Sequence, residues 1–488
     1  MELTQAEIAP SSLALSAEPL PTSITVSRPL GTLACLAISD IGAIVLALFT
    51  AGFLRSVVLS SWAAPTPSTD LAALVLLLCS LTAAGLYPGV NMNPVEELRR
   101  SVSAITLGFF ALWSATFLLR DLSQSRLVYI LAYSFAIALL PLFRAFTRKT
   151  FGSRDWWGSS AAILGYGITG KYVHETLLKK PGLGLKPVAI FDDDPGQHRH
   201  ADPGIAFGPI GKCVEITKTQ RIPYGIVCMP GLSRDELLNL VDGYGKCFGH
   251  LIVIPNLIGM TSLGISAREV GGVIGLEVTQ QLLRPASRFV KRCLDLALSV
   301  AVSFPVALLV LLSALLIKLE DGGPVFYANE RVGFCGRKFR AWKLRSMVTD
   351  GDEVLRRYLA DNPDEAAHWN AKQKLKHDPR LTRVGRIIRK TSIDELPQFW
   401  NVLAGQMSIV GPRPILECQV SLYGASFELY RQVRPGITGL WQVSGRNHLT
   451  FAERAKLDKY VIQNWSVWLD LYILARTVSV LLSADGAY

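Results

Sequence analysis

The sequence predicts a membrane protein in three parts: a bundle of four transmembrane helices, a Rossmann-like α/β domain, and a mainly α-helical domain with a re-entrant membrane helix and interfacial amphipathic helices. Two observations carry this prediction. Half of the 488 residues are hydrophobic and only 18% are charged, whereas an average soluble domain has about 25% charged residues. Four apolar runs occupy the first third of the chain, and a glycine-rich α/β pattern follows them. This composition excludes a disordered chain and disfavours a purely cytosolic enzyme.

The four amino-terminal runs are each close to the ~20 residues that a membrane helix needs. They cover Leu30–Leu54, Leu71–Val90, Val102–Leu119 and Leu127–Phe146. Residues 1–28 are expected to be a flexible cytoplasmic tail and residues 29–150 the helices. With the amino terminus inside, seven Lys and Arg residues lie in inner segments and three in outer loops, so the positive-inside rule places everything after the fourth helix in the cytoplasm. Asp40 lies inside the first run, where an ionisable group indicates either function or a hydrogen bond within the bundle.

Short β-type runs predict the α/β domain, over residues 151–282. They cover Ala161–Leu164, Pro187–Phe191, Gly225–Met229 and Leu251–Ile254. The first run is followed by Gly165, Gly167 and Gly170 in G-x-G-x-x-G spacing, and the second by Asp192. In a nucleotide-binding domain, such glycines admit a pyrophosphate to the helix amino terminus and the acid holds the ribose. Alternatively, the glycines only form the tight turn of a domain that binds no cofactor.

Hydride chemistry is disfavoured in this domain. Membrane-anchored sugar-nucleotide dehydratases have a similar layout but use a catalytic Tyr-x-x-x-Lys, and no tyrosine here has a lysine four residues later. A structural or nucleotide-sensing role is the better interpretation. The eight cysteines form no C-x-x-C pair, so neither a zinc site nor a disulfide framework is expected.

The last domain, expected over residues 283–488, opens with a fifth apolar run. This run, Cys293–Ile317, is interrupted by Ser303 and Pro305, and a proline inside a helix removes a hydrogen bond and bends it. The run therefore either spans the membrane with a kink or, as we expect from the basic residues that follow it, forms a re-entrant helix over residues 291–318 that bends at these two residues. Residues 331–390 contain 16 Lys and Arg against 7 Asp and Glu, which suits an anionic membrane face.

A basic helix and a pair of acids follow in that region. Arg383, Arg386 and Arg389 are spaced three apart with apolar residues between them, which is typical of an interfacial helix; nucleic acid is not an expected partner because no matching fold signature is present. Asp394 and Glu395 follow, just before Leu396-Pro397. Since proline favours the first turn of a helix, the spacing places Asp394 near an N-cap, where it is either a simple cap or an ionised carboxylate beside basic residues.

Such a pair of carboxylates suits phosphoryl chemistry. One ionised carboxylate can attack a phosphorus centre while its neighbour holds a divalent metal. Arg413 and Arg434 lie in proline-containing turns, and a guanidinium fixed in this way suits a phosphate clamp. The alternative for both arginines is ordinary turn chemistry.

Several motifs occur in a fixed order over roughly residues 286–488. They are Lys291-Arg292-x-x-Asp295, the Ser303 to Pro305 break, Gly323-Pro324-Val325-Phe326, Glu330-Arg331-Val332-Gly333, Lys343-Leu-Arg345-Ser346-Met347, Asp394-Glu395-Leu-Pro-Gln and Gly411-Pro-Arg-Pro. Together they resemble the bacterial monotopic phosphoglycosyl transferases. The preceding helices and α/β domain resemble the long form of that family, and the carboxy-terminal end is similar to its WbaP-type undecaprenyl-phosphate galactose phosphotransferases.

The resemblance implies transfer of a hexose 1-phosphate from a UDP-sugar to undecaprenyl phosphate in the bacterial inner membrane, with release of UMP. It implies that Asp394 attacks the β-phosphate to form a covalent phosphosugar and that Glu395 holds Mg²⁺. The phosphates would be bound by basic side chains: Lys343, Arg345, Arg389, Arg413 and Arg434.

This reaction would start O-antigen, capsule or exopolysaccharide synthesis on the cytoplasmic face. Galactose is the preferred sugar and glucose the alternative. A non-catalytic membrane scaffold or nucleotide sensor is the alternative from another functional class. The oligomeric state stays open, with a homodimer as one expectation.

Overall fold

The chain forms two compact units, residues 1–259 and 260–488. In a computed structural model, the described residues are 29–59, 67–118, 126–194, 196, 205–255, 265–270, 273–278, 281–363, 365–366, 375, 378–445 and 449–483. The predicted tail, residues 1–28, lies outside them.

Four helices open the first unit. They are α1 (Pro29–Leu59), α2 (Pro67–Ala83), α3 (Pro94–Leu118) and α4 (Arg126–Phe151). Small and aliphatic side chains such as Ala43, Leu77 and Ile105 form their shared core, whereas large apolar side chains such as Phe117 face outward. An apolar exterior of this kind is stable in lipid rather than in water.

Three of the described helices are long and apolar enough to cross a membrane. They are Pro29–Val57, Leu127–Phe151 and Pro285–Asp321. The apolar part of α2, Leu71–Ala83, is shorter. The protein is therefore a membrane protein.

The structure corrects two predicted helix boundaries. The second helix ends at Ala83 rather than Val90, because the chain turns through Gly85 and Gly89 in the left-handed region that favours glycine. The third helix begins at Pro94 rather than Val102. A charged first turn therefore precedes its apolar part.

A buried network of charges joins three of these helices. Asp40 of α1 accepts from Arg144 of α4 through both carboxylate oxygens, at 2.8 and 2.6 Å. Arg144 also donates to Glu97 of α3 at 2.9 Å, and Arg148 donates to the same carboxylate at 2.8 Å. The structure therefore shows the second alternative for Asp40, a hydrogen bond within the helix bundle.

The α/β part of the first unit has a five-stranded parallel sheet in the order β3-β2-β1-β4-β5. Its strands are β1 (Ser159–Leu164), β2 (Leu185–Phe191), β3 (Ala206–Gly208), β4 (Tyr224–Val227) and β5 (His250–Val253), and its helices are α5 (Ile168–Lys179), α6 (Cys213–Gln220) and α7 (Arg234–Gly243). This strand order is that of the Rossmann fold. All four predicted β-type runs form strands, whereas β3 was not predicted.

The second unit is mainly helical. Its strands are β6 (Ile265–Val270), β7 (Val273–Val278), β8 (Phe326–Val332), β9 (Lys338–Leu344), β10 (Ser408–Val410) and β11 (Gly436–Thr438). Its helices are α8 (Pro285–Asp321), α9 (Gly351–Asp361), α10 (Arg383–Lys390), α11 (Gln398–Leu403), α12 (Val420–Tyr423), α13 (Phe427–Tyr430), α14 (Leu440–Ser444), α15 (Phe451–Gln463) and α16 (Val467–Ser483). Helical backbone continues through Ser303 and Pro305 of α8.

Candidate active site

Asp394 lies in a short turn between two helices of the second unit. Helix α10 ends at Lys390, Ser392 adopts a left-handed conformation with φ 58°, and a single 3₁₀ turn covers Ile393–Glu395. The predicted N-cap position of Asp394 is wrong, because α11 begins only at Gln398 and has no side-chain cap. The turn instead leaves the Asp394 side chain buried, with 9% of the residue exposed.

Lys343 of β9 bridges the two carboxylates. Its Nζ lies 2.5 Å from Glu395 Oε1 and 3.8 Å from Asp394 Oδ2. The β8–β9 pairing sets Tyr327 opposite Lys343 and Arg331 opposite Phe339. Since alternate residues of a strand share a face, Lys343 and Arg331 lie on the same face of this hairpin.

Burial and the surrounding cations act differently on the two carboxyls. Burial raises the pKa of Asp394 to about 6, and Lys343 works against this rise. Burial would also raise the pKa of Glu395, but Lys343, Arg413 and Arg331 hold it below its ordinary value. Both groups are therefore mainly ionised at neutral pH, although Asp394 has a higher affinity for protons.

The turn that carries Arg413 packs closely against a neighbouring strand. A Cβ at Gly411 would collide with the backbone of Arg434 and Gly436. The Arg413 guanidinium lies 5.3 Å from the centre of the buried Trp441 ring. Arg413 also interacts electrostatically with Glu395.

A buried carboxyl lies behind this turn. Asp458 of α15 accepts a hydrogen bond from Tyr423 at 2.6 Å and interacts with the backbone of Arg413. Burial raises the pKa of Asp458 to about 7. This carboxyl therefore supports the turn from the interior.

The other predicted phosphate-binding residues do not all lie near Asp394 and Glu395. Arg389 is exposed at the end of α10 and interacts electrostatically with Asp394. Arg345 is buried and forms an ion pair with Asp321. Arg434 donates to the carbonyl of Gly405 at 2.7 Å. The contacts of Arg345 and Arg434 therefore stabilise the fold.

Two arginines near Arg413 were not selected from the sequence. Arg331 interacts with Glu395 and Arg413, and Arg454 of α15 lies 4.9 Å from the Trp441 ring centre. The Glu330-Arg331 motif was a signal for the first. Nothing in the spacing indicated Arg454, because its neighbours come from distant parts of the chain.

The glycine-rich turn of the α/β domain is tightly packed at Gly165 and Gly170. Gly165 has φ 91°, and a Cβ at Gly170 would collide with the carbonyl of Gly165. A Cβ at Gly167 would meet nothing within 4 Å. The carboxylate of Asp192 accepts from the amide of Tyr166, so this acid fastens the turn.

The sequence also matches known families and proteins. Residues 286–484 match the profile of a family described as bacterial sugar transferases, and residues 82–255 match one described as a CoA-binding domain. The undecaprenyl-phosphate galactose phosphotransferase of Salmonella typhimurium is 36% identical over 375 residues, which are 75% of this chain and 76% of that protein. The chain belongs to the bacterial sugar transferase family.

Two further relatives match this bacterial sugar transferase over different lengths. The exopolysaccharide production protein ExoY of Rhizobium meliloti is 44% identical over 207 residues, 42% of this chain and 91% of that protein. The UDP-glucose:undecaprenyl-phosphate glucose-1-phosphate transferase of Escherichia coli K12 is 31% identical over 330 residues, 65% of this chain and 66% of that protein.

Proposed function

We propose that this bacterial sugar transferase transfers a hexose 1-phosphate from a UDP-sugar to undecaprenyl phosphate, releases UMP, and uses Asp394 as the nucleophile. The names of its relatives support this reaction class. The observation that carries the mechanism is the buried Asp394 beside Glu395, with Lys343 in contact with both carboxylates.

The chemistry proceeds in two displacements at one phosphorus. An Asp394 oxygen attacks the β-phosphorus, the bond from that phosphorus to the bridging oxygen breaks, and UMP leaves with that oxygen. An oxygen of undecaprenyl phosphate then attacks the same phosphorus and releases the carboxylate. Lys343 and Arg413 neutralise charge on the donor phosphates, and the covalent intermediate predicts ping-pong kinetics.

Glu395 is proposed to hold Mg²⁺ together with the substrate phosphates. Among the residues that the structure describes, no cluster of three or more metal-ligating side chains exists. Two adjacent carboxylates nevertheless fit this ion, because Mg²⁺ is often bound by one or two carboxylates plus phosphate oxygens. When bound, the ion would neutralise charge on the transferring phosphoryl group.

Galactose is the proposed sugar, because the relative with 36% identity is named for it. Glucose is the second candidate, since the relative with 31% identity is named for that sugar. The initiation of O-antigen, capsule or exopolysaccharide synthesis remains part of the proposal, and ExoY is named for exopolysaccharide production.

We also propose that α1 to α4 cross the inner membrane and that α8 enters and leaves it on the cytoplasmic side. Both ends of α8 contact neighbouring elements: Arg292 donates to the carbonyl of Val402 at the end of α11, and Asp321 accepts from Arg345, directly after β9. Helix α11 and β9 are themselves joined by a hydrogen bond. A straight helix would separate residues 292 and 321 by about 44 Å, which favours a bend.

Ser303 lies near that bend. Its hydroxyl donates to the carbonyl of Val300 at 2.7 Å, two residues before Pro305 interrupts the helical hydrogen bonds. Side chains such as Phe304 and Leu311 are exposed along α8. A bent apolar helix of this kind suits insertion into one leaflet.

The test is UMP release by the full-length protein, purified in detergent, from a panel of UDP-sugars with undecaprenyl phosphate. We expect release with UDP-galactose above that with UDP-glucose. Release with UDP-glucose alone would change the sugar. No release with any UDP-sugar from folded protein would contradict the proposed reaction and favour a non-catalytic scaffold.

A further inference from the structure

We propose that Arg331, Arg413 and Arg454 form, around Trp441, the site that binds the phosphate of the nucleoside monophosphate half of the donor and of the released product. This inference rests on the proposed function and specifies how the enzyme holds its leaving group. The three arginines come from distant parts of the chain, β8, the turn after β10, and α15.

Trp441 of α14 brings two of the arginines together. The guanidinium carbons of Arg413 and Arg454 lie 5.3 and 4.9 Å from the centre of its ring, within the range of cation–π attraction. The ring itself is buried. Two long, mobile side chains are thereby held in place before any ligand arrives, which reduces the entropy that binding must overcome.

Arg331 completes the cluster from the β8–β9 hairpin. Its Nη1 donates to the carbonyl of Pro414, directly after Arg413 in the chain, at 3.5 Å. Arg454 makes a bond of the same kind, from Nε to the carbonyl of Leu449 at 3.1 Å. A guanidinium has five N–H donors, so each arginine keeps donors for a ligand.

The cluster has an excess of positive charge. Among the residues that the structure describes, none of these three guanidinium groups forms an ion pair with a carboxylate. Burial and the nearby Arg413 lower the pKa of both Arg331 and Arg454. Like charges held together without a direct ion pair favour binding of an anion.

The position of the cluster relative to Asp394 identifies which phosphate it would bind. Lys343 contacts Asp394 and Glu395, whereas Arg331 and Arg413 interact with Glu395. Two arginines of the cluster therefore lie near Glu395. In an in-line displacement the leaving group departs on the side opposite to the attacking oxygen, so the β-phosphate belongs beside Asp394 and Lys343 and the α-phosphate beside the arginines.

The test compares binding of UMP and of uridine to full-length protein by isothermal titration calorimetry. The Arg454→Gln variant should weaken UMP binding about ten- to a hundredfold, the effect of losing a charge-assisted hydrogen bond, and leave uridine binding unchanged. Arg454→Lys should recover part of the loss. The matched control is Arg356→Gln, at an exposed arginine of α9, which should bind UMP like the native protein.

Kinetics supply a second readout. In Arg454→Gln, the KM for the UDP-sugar should rise, while the KM for undecaprenyl phosphate should stay within about twofold. Equal UMP affinity in the native and Arg454→Gln proteins, or an equal loss of uridine binding, would overturn this inference. Failure of the native protein to release UMP from any UDP-sugar would instead contradict the proposed function, because calorimetric binding of UMP does not require turnover.

Discussion

Asp394 must be ionised to act as a nucleophile, yet its burial favours the protonated form. With a pKa of about 6, roughly nine tenths of the carboxyl is ionised at pH 7 and one tenth at pH 5. The rate of covalent labelling by a UDP-sugar in a single turnover, without undecaprenyl phosphate, should therefore fall about tenfold over this range.

Lys343 tests the cause of this pH dependence. It lowers the pKa of Asp394, so Lys343→Met should move the midpoint of the labelling profile to higher pH. Lys338→Met, on the same strand but exposed and paired with Glu417, should leave the midpoint where it is. A native profile that is flat from pH 5 to pH 7 would show that Asp394 does not titrate as the structure indicates.

Asp394→Asn should abolish both turnover and labelling, since an amide is not a nucleophile, and should stabilise the fold. The folded pKa lies above the unfolded value of 3.8, so the stability that this group contributes is complete below pH 3.8 and is lost as the pH rises through about 6. At pH 7 the variant should gain up to about 3 kcal/mol. Thermal unfolding in detergent measures the gain, which should be about half as large at pH 5. Persistent labelling of the variant would contradict the nucleophile assignment.

At the scale of elements, the charge network between α1, α3 and α4 should dominate the stability of the helices. Arg144→Met leaves the Asp40 carboxylate buried without its cation, a change that typically costs about 3–5 kcal/mol. Arg99→Met removes an exposed pair with Glu96 on α3 and should cost about 1 kcal/mol or less. Thermal unfolding of both purified variants measures the difference, and equal midpoints would show that the network adds little.

The elements were predictable from the sequence where periodicity and length define them. Apolar runs and β-type runs appear as helices and strands because burial or lipid contact needs those patterns. The turn around Asp394 was not predictable. Pro397 predicts the first turn of a helix, whereas the left-handed Ser392 allows an extra turn before α11.

The site was predictable where its residues are close in sequence, as Asp394 and Glu395 are. Its cations come from β8, β9 and α15, and which arginines converge depends on packing between those elements. Arg434 and Arg454 illustrate this. Arg434 was predicted to bind phosphate but bonds a backbone carbonyl, whereas Arg454 belongs to no motif and lies beside Trp441.

For the whole molecule, the two units should separate by function. The proposed catalytic groups all lie within residues 286–484, which match the bacterial sugar transferase profile. The match to ExoY has a similar length, 207 residues, and covers 91% of that protein. A protein of about residues 260–488, the whole second unit, should therefore retain UMP release in detergent, and the same protein with Asp394→Asn should not. Complete inactivity of a folded, membrane-bound truncation would show that the first unit contributes to the chemistry.

The topology of α8 decides whether that chemistry is on the cytoplasmic side, where UDP-sugars are made. If α8 bends and returns, everything after it stays inside; if it spans, Asp394 lies outside. The native Cys335 and Cys418 follow α8 and are exposed, so they can report this directly when the other six cysteines are replaced. We expect an impermeant maleimide to label them only after permeabilisation, whereas Ser56→Cys, at the predicted outer end of α1, should be labelled in intact cells. Labelling of Cys335 in intact cells would contradict the re-entrant arrangement.

Pro305→Leu would restore the helical hydrogen bond that proline removes. The 37 residues of α8, at about 1.5 Å each, exceed the ~30 Å hydrocarbon core, so a continuous helix can span it. In this variant, we expect a larger fraction of Cys335 to be labelled from outside, and activity to fall by the same fraction.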